Sequence, residues 1–267
     1  MKKLKFYLIT IVFFSFIFVS CSSVPITGRK QLQLIPESQM LSMSFSQYNQ
    51  FLKEHQESNN TQQVAMVKQV GGNIANAVEQ YLRENKLADE VKNYKWEYHL
   101  VVDSEVNAWC MPGGKIVVYT GILPITKNEN GLAVVLAHEI AHAVAHHGDE
   151  RMSQALITQL GGVALSQALQ DKPQLTQQLW MTAYGVGAEL GVLLPFSRTQ
   201  ESEADHLGLI FMAMAGYDPH GALEFWQRMQ NLSKGSPPVF LSDHPANQTR
   251  INDINAEMPE AMKYYRK

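Results

Sequence analysis

The residues of this chain best suited to chemistry are in Ala137-His138-Glu139-Ile140-Ala141-His142, two imidazoles four positions apart with a carboxylate beside the first. On a helix, positions i and i+4 lie one turn apart on one face, so His138 and His142 could grip a single metal ion. Glu139 is rotated off that row but stays at the same level, within reach of a water on the metal. Two ligands and a base in five residues form the motif of zinc peptidases. There, zinc polarises the scissile carbonyl and lowers the pKa of its water, and the glutamate takes the water proton and hands it to the leaving amine. The competing reading is a buried helix with two hydrogen-bonded histidines. Burying His, Glu and His together is costly, however, unless something charged satisfies them.

The element that must position these groups is a helix over Leu132–His147, which contains one glycine-free, proline-free run, with Asn128 or Asn130 to cap its start and Gly148 to end it. Leu132, Val134, Val135, Leu136, Ile140, Ala141 and Val144 are apolar around most of its circumference, which predicts a helix buried mid-domain. Catalytic zinc takes three protein ligands and leaves one position for water. A metzincin would carry its third histidine at 148 and a glycine at 145, but these are Gly148 and Ala145. His146 and His147 read as helix-end histidines, favoured by the dipole. The better source is Ser197-Arg198-Thr199-Gln200-Glu201-Ser202-Glu203-Ala204-Asp205, where Glu201 and Asp205 share a helical face. Glu201 could bind the ion and Asp205 could orient a ligand histidine. Glu203 points to roughly the opposite side and is not chosen. The alternative for this stretch is the ordinary acidic first turn of a helix.

Three segments, Asn107-Ala108-Trp109-Cys110-Met111-Pro112-Gly113-Gly114, the His138–His142 motif and Glu201 to Asp205, occur in an order and at distances that resemble the gluzincin-type peptidase family of the CAAX-prenyl proteases and bacterial HtpX. Asp243-His244-Pro245 through Arg250 resembles the soluble periplasmic lipoprotein branch of that family. The likeness covers roughly residues 60–255. It implies one zinc ion on His138, His142 and Glu201, with Glu139 as base and Asp205 behind a ligand. It also implies His244 as a further ligand and Arg250 as the active-site arginine that stabilises the oxyanion. A fourth protein ligand would displace the catalytic water, so His244 predicts an enzyme latent until the Gly235–Pro245 loop moves. The bland alternatives are an exposed loop histidine and a surface ion pair for Arg250.

Substrate alignment is expected on a strand. Lys115-Ile116-Val117-Val118-Tyr119-Thr120 is a β-branched run read as an exposed edge, able to add an extended substrate through main-chain bonds that ignore side-chain identity. Gly113 and Gly114 would let backbones approach, or simply form a hairpin turn, and Asn107 joins this set through the family resemblance. The expected substrates are therefore unfolded or misassembled polypeptides, cleaved with broad specificity. A chaperone or assembly factor using the same groove with little cleavage is the alternative, and a non-proteolytic zinc hydrolase a third. The intact Glu139 favours the enzyme, since a pure binder needs no base.

The chain opens with Lys2, Lys3 and Lys5, then runs apolar from Phe6 to Val19, shorter than the ~20 residues that span a bilayer. Phe18-Val19-Ser20-Cys21 resembles a bacterial lipoprotein box. The expected organisation is a signal peptide over 1–20, lipid on Cys21, a tether over 21–36 and one peptidase domain over 37–267, facing the periplasm from the outer membrane. Removing the three leader lysines from 22 basic residues leaves 19 against 25 acidic, a net of −6, which argues against nucleic acid as a partner. Cys110, the only other cysteine, reads as a buried thiol.

The predicted fold is α+β and mainly helical, with a small sheet packed on the metal helix. Amphipathic helices are expected over Glu37–His55, Gln62–Asn85 and Pro219–Leu232, with strands over Lys95–Val102 and Lys115–Thr120. Arg151–Gln170 and Gln174–Leu194 are apolar but contain polar residues, and read as buried or cleft-covering helices, a possible lid, rather than membrane spans.

Overall fold

A computed structural model describes residues 21–189, 193–232 and 237–266. The expected signal peptide, 1–20, lies outside them, as do short pieces of the second apolar helix and of the His244 loop. The fold is α+β and mainly helical, as expected. A three-stranded sheet contains β3 (Glu97–Val101), β4 (Ala108–Met111) and β5 (Lys115–Tyr119) in the order β3-β5-β4. β5 runs parallel to β3 and antiparallel to β4, with Trp109 opposite Val117 and Cys110 opposite Ile116. Before the sheet come a hairpin, β1 (Cys21–Ser23) and β2 (Lys30–Leu32), and two helices, α1 (Glu37–Glu54) and α2 (Thr61–Glu84). After it come α3 (Glu129–Val144), α4 (His147–Leu169), α5 (Gln174–Ala188), α6 (Leu194–Met214), α7 (Gly221–Leu232), the single turn α8 (Phe240–Asp243) and α9 (Gln248–Ala261).

The metal helix forms where its pattern and cap dictate. Asn128 accepts from the Gly131 N–H at 2.9 Å, satisfying one orphan donor of the first turn. Every residue from Gly131 to Val144 is buried, as an all-round apolar helix must be. α2 packs Val67, Val70, Ile74, Val78 and Leu82 into the same core, while α6 crosses α3 closely. At that crossing sits Gly208, where a Cβ would lie 3.2 Å from the His138 backbone nitrogen. A side chain there would push the two site-bearing helices apart.

The sheet corrects one expectation. β5 is the central strand, and Lys115, Ile116 and Val117 are all buried, so Lys115–Thr120 is not an edge. Ile116 and Val118 face the helical core, whereas Val117 and Tyr119 face Tyr48 of α1. A run apolar on every position reads as well as a covered strand as it does an exposed one, and β4, too short to announce itself, takes the edge. Lys115 donates to the Lys95 carbonyl at 2.8 Å and pairs with Glu97, a structural role. Gly113 and Gly114, at φ +86° and +79°, make the β4–β5 turn, and their carbonyls accept from Lys95 and Glu97. Their freedom is used for the hairpin and for β3.

Two further segments differ from expectation. The stretch read as a tether folds back as the β1–β2 hairpin, burying Val24 and turning at Gly28 (φ +70°). The α4–α5 pair is not buried: Leu160, Val163, Leu175, Leu179 and Trp180 are more than half exposed. The two helices brace each other through Tyr184, whose hydroxyl donates to the Thr158 carbonyl at 2.8 Å. Among the described residues no helix is long and apolar enough to cross a membrane.

Candidate metal centre

His138, His142, Glu201 and His244 converge from α3, α6 and the end of α8, all four buried, with one donor atom each lying within 4.8 Å of the others. His138 Nε2 and His142 Nε2 are 3.1 Å apart. The Glu201 carboxylate is 3.3 Å from the first and 3.2 Å from the second. His244 Nδ1 stands 3.0 Å from Glu201 and 3.1 Å from His138 Nε2. Donors around a tetrahedral zinc with bonds of ~2.0–2.1 Å sit roughly 3.3 Å apart, so the set has the right size.

The hydrogen bonds behind the ligands decide what these atoms are. Asp205 Oδ1 lies 3.0 Å from His138 Nδ1. A carboxylate only accepts, so the proton is on Nδ1 and Nε2 presents a lone pair. His147 Nε2 lies 2.9 Å from Glu203 Oε2, which fixes that ring's proton on Nε2. Its bare Nδ1 then accepts from His142 Nδ1 at 2.8 Å, and His142 Nε2 is left with a lone pair as well. Arg250 Nη2 approaches His138 Nε2 at 3.3 Å, and the two imidazole lone pairs, aimed at each other and at a carboxylate in a buried pocket, form a donor set suited to a cation. Zinc suits this mix of imidazole nitrogen and carboxylate oxygen.

The ionisation behaviour follows from the same contacts. Burial alone would lower His138, but its bonds to Asp205 and Glu201 raise it to about 9, so a proton and a metal ion compete for the Nε2 lone pair. Burial drives His142 well below the usual histidine range. Burial would raise Glu201, yet the three histidines around it hold it well below the carboxylate range. Asp205 is likewise lowered, against its burial, by Arg250 and His138. Glu139 goes the other way: burial raises it, opposed by His244 and His138, and its Oε1 has no hydrogen-bond partner among the described residues. A carboxyl raised by burial beside the donor set, with His244 Nε2 3.4 Å from its Oε1, is placed as a general base would be.

The expected site residues His138, Glu139, His142, Glu201, Asp205, His244 and Arg250 are thus brought together, while Asn107 through Val117 divide between the sheet edge and its interior. His244 is a buried donor, not an exposed loop histidine. Arg250 is no surface ion pair. It lies over the Trp226 ring at 3.4 Å, donates to Asp205 at 2.7 Å and pairs with Glu201 at 3.1 Å. Sequence reasoning missed His147, Glu203 and Trp226. The metal helix ends earlier than expected, because His146 adopts a left-handed conformation (φ 57°) two residues before Gly148. That break swings His147 back onto His142, so neither residue is a simple helix-end histidine. α6 starts at Leu194, so Glu201–Asp205 is mid-helix rather than an acidic first turn. Cys110 is a free, partly buried thiol whose pKa is pushed up by burial, consistent with an inert role.

Comparison with known proteins agrees with this geometry. The model of Peptidase family M48 matches residues 41–258. The chain belongs to that family. It is 39% identical over 173 residues to the mitochondrial metalloendopeptidase OMA1 of Schizosaccharomyces pombe, covering 64% of this chain and 49% of that one. It is 29% identical over 261 residues to the human mitochondrial metalloendopeptidase OMA1, covering 95% of this chain and 49% of the relative. It is also 28% identical over 179 residues to the beta-barrel assembly-enhancing protease of Escherichia coli, covering 63% and 36%. The chain spans about half the length or less of these relatives.

Proposed function

We propose that this protein is a zinc endopeptidase that hydrolyses peptide bonds of unfolded or misassembled cell-envelope proteins, and that the structure represents its latent state. The observation carrying the reading is the buried donor set with Glu139 beside it. A bound zinc ion supplies Lewis acidity to the scissile carbonyl and acidity to a water. Glu139 takes the proton and returns it to the leaving amine. Asp205 and His147 keep the two α3 imidazoles in the tautomers that ligate. His244, presenting Nδ1 to Glu201 and Nε2 3.4 Å from Glu139, occupies the approach to both the ion and the base.

β4 supports the substrate side of the reading. Asn107 and Met111 carbonyls accept from Tyr119 and Gly114, so the ladder alternation turns the N–H and C=O of Ala108 and Cys110 away from β5. The strand packs against α3, while the Ser58 N–H and the Gln56 carbonyl cover β3 at the other edge. An extended polypeptide added beside Cys110 would run past the metal helix. The Phe240 N–H already donates to the Val106 carbonyl on that side, tying the His244-bearing turn to the edge a substrate would use. Low basal proteolysis and polypeptide holding, the second reading, share this arrangement.

The leader and the lipoprotein-like box at Cys21 support attachment to a membrane facing the bacterial periplasm, most simply the outer one. The fungal and human relatives carry mitochondrial names, so this address rests on the leader alone. Casein digestion by the wild-type chain and by Glu139→Gln, with and without chelator, tests the activity. Digestion lost in the variant and with chelator carries the proposal; equal digestion by both ends it.

A further inference from the structure

We propose that the β1–β2 hairpin is a positioning element of the metal centre, acting on His142 through Arg29, Glu203 and His147. The inference rests on the zinc reading above. Its starting point is a run of partly buried polar contacts from Thr27 and Arg29 of the hairpin turn to a metal ligand. Arg29 Nε donates to Glu203 Oε2 at 2.9 Å, and its two terminal nitrogens grip Glu150 at 3.1 and 2.8 Å, a bidentate fork. Thr27 also donates to Glu203. Gln200 closes the other side of Glu150 at 2.8 Å, and the Leu34 N–H donates to Ser153 at 3.0 Å. The hairpin is therefore clamped to the start of α4 and to α6, next to the histidine pair. The family match covers residues 41–258, so the hairpin lies outside the matched segment while its partners Glu150 and Glu203 lie inside it.

Its effect on the ion follows from tautomers. With Glu203 held as an acceptor, His147 keeps its proton on Nε2, and His142 must keep its own on Nδ1. If Glu203 swings away, the acceptor that fixes the His147 proton on Nε2 is gone, and His147 is free to carry it on Nδ1 instead. The His142 proton is then driven to Nε2, which turns an N–H towards the metal and spoils the ligand. Glu203 and Glu150 are both buried and both need Arg29, so nothing else among the described residues holds the two carboxylates with a full positive charge.

The test uses the purified full chain, stripped and reloaded with zinc or cobalt, comparing wild type with Arg29→Ala, Arg29→Lys, Glu203→Gln and His147→Leu. The readouts are metal affinity by chelator competition and the visible spectrum of the cobalt form. Loss of an outer partner of a ligating histidine costs about 10–100-fold in metal affinity, and that range is expected for Glu203→Gln and His147→Leu. Arg29→Ala is expected to weaken binding in the same direction with a shifted cobalt band, and Arg29→Lys to recover part of it, keeping charge without the fork. A core variant, Ile74→Val, controls for stability and should bind as wild type. If the internal variants fold poorly, the partly exposed Arg29 decides: unchanged affinity and spectrum in Arg29→Ala overturn the proposal. Equal weakening in Ile74→Val overturns it too. A wild-type chain that binds one ion, lost in His138→Ala but unaffected by the hairpin variants, refutes this inference alone; a wild-type chain that binds none refutes the zinc reading with it.

Discussion

Arg250 separates two accounts of the site. If its task is to stabilise the oxyanion, replacing it should leave the fold intact and depress turnover. The structure gives it another task. Its two terminal nitrogens are committed to Glu201 at 3.1 Å and Asp205 at 2.7 Å, and its plane covers Trp226. All three charged groups are buried. Arg250→Ala would strand Asp205 with His138 as its remaining partner and leave Glu201 short of one cation. Breaking a buried ion pair by removing one partner costs about 3–5 kcal/mol. For a domain of this size each kcal/mol moves the melting temperature by roughly 2–4 °C, so a fall of roughly 6–20 °C is expected. Arg250→Lys keeps the charge but cannot bridge both carboxylates, and should fall between. The assay is thermal unfolding with saturating zinc and with chelator, alongside casein turnover measured well below either transition. A melting temperature within 2 °C of wild type, combined with a large loss of kcat and an unchanged KM, would refute the positioning account and restore the oxyanion role.

The other expectations are more direct. Glu139→Gln should retain one zinc per chain and lose about 100–10,000-fold in kcat; loss of metal instead would mean that Glu139 is a ligand and not the base. His244→Ala should raise basal proteolysis, by roughly tenfold for each ~1.4 kcal/mol by which the closed state is favoured, and unchanged or lower activity refutes latency. His146, raised to about 9 by Asp149 and Glu90 against its burial, has a folded pKa above its ordinary 6.5. Its contribution of about 3 kcal/mol is therefore fully present below pH 6.5 and lost as pH rises through 9. Urea unfolding of wild type and His146→Asn should differ at pH 6 and converge by pH 10; a constant gap would show that the backbone conformation, not the ion pairs, sets the difference.

How much of this was legible in the sequence depended on whether period or topology carried the signal. The metal helix, its Asn128 cap and the Glu201–Asp205 pair follow from local spacing, and local spacing is what a sequence displays. The centrality of β5 does not. Lys115–Tyr119 has the same β-branched composition in the middle of a sheet as at its edge, and only the pairing of the short Ala108–Met111 segment settles which it is. The hairpin at 21–32 was hidden for a similar reason, since Arg29 looks solvated until Glu150 and Glu203, more than 120 positions away, are folded against it. The α4–α5 helices misled through composition: lacking charge, they read as interior, yet their apolar residues face outward.

Glu203 shows best why periodicity alone could not complete the site. On a straight α6 it points away from Glu201 and Asp205, so helical geometry leaves it off the ligand face, and the converging donors are His138, His142, Glu201 and His244. The error lay in assuming that nothing of consequence stood on its side. The left-handed His146 breaks α3 from α4 and moves His147 round behind His142, into the direction Glu203 faces. One turn of α6 thus places three acids at i, i+2 and i+4 with three duties: Glu201 towards the ion, Asp205 behind His138, and Glu203 behind the histidine that backs His142. All three depend on the rotation of a single helix about its axis, fixed where Gly208 meets the His138 backbone. Turning α6 by one residue, about 100°, would lose all three partners together, so the metal ligands and the groups that orient them stand or fall as one unit.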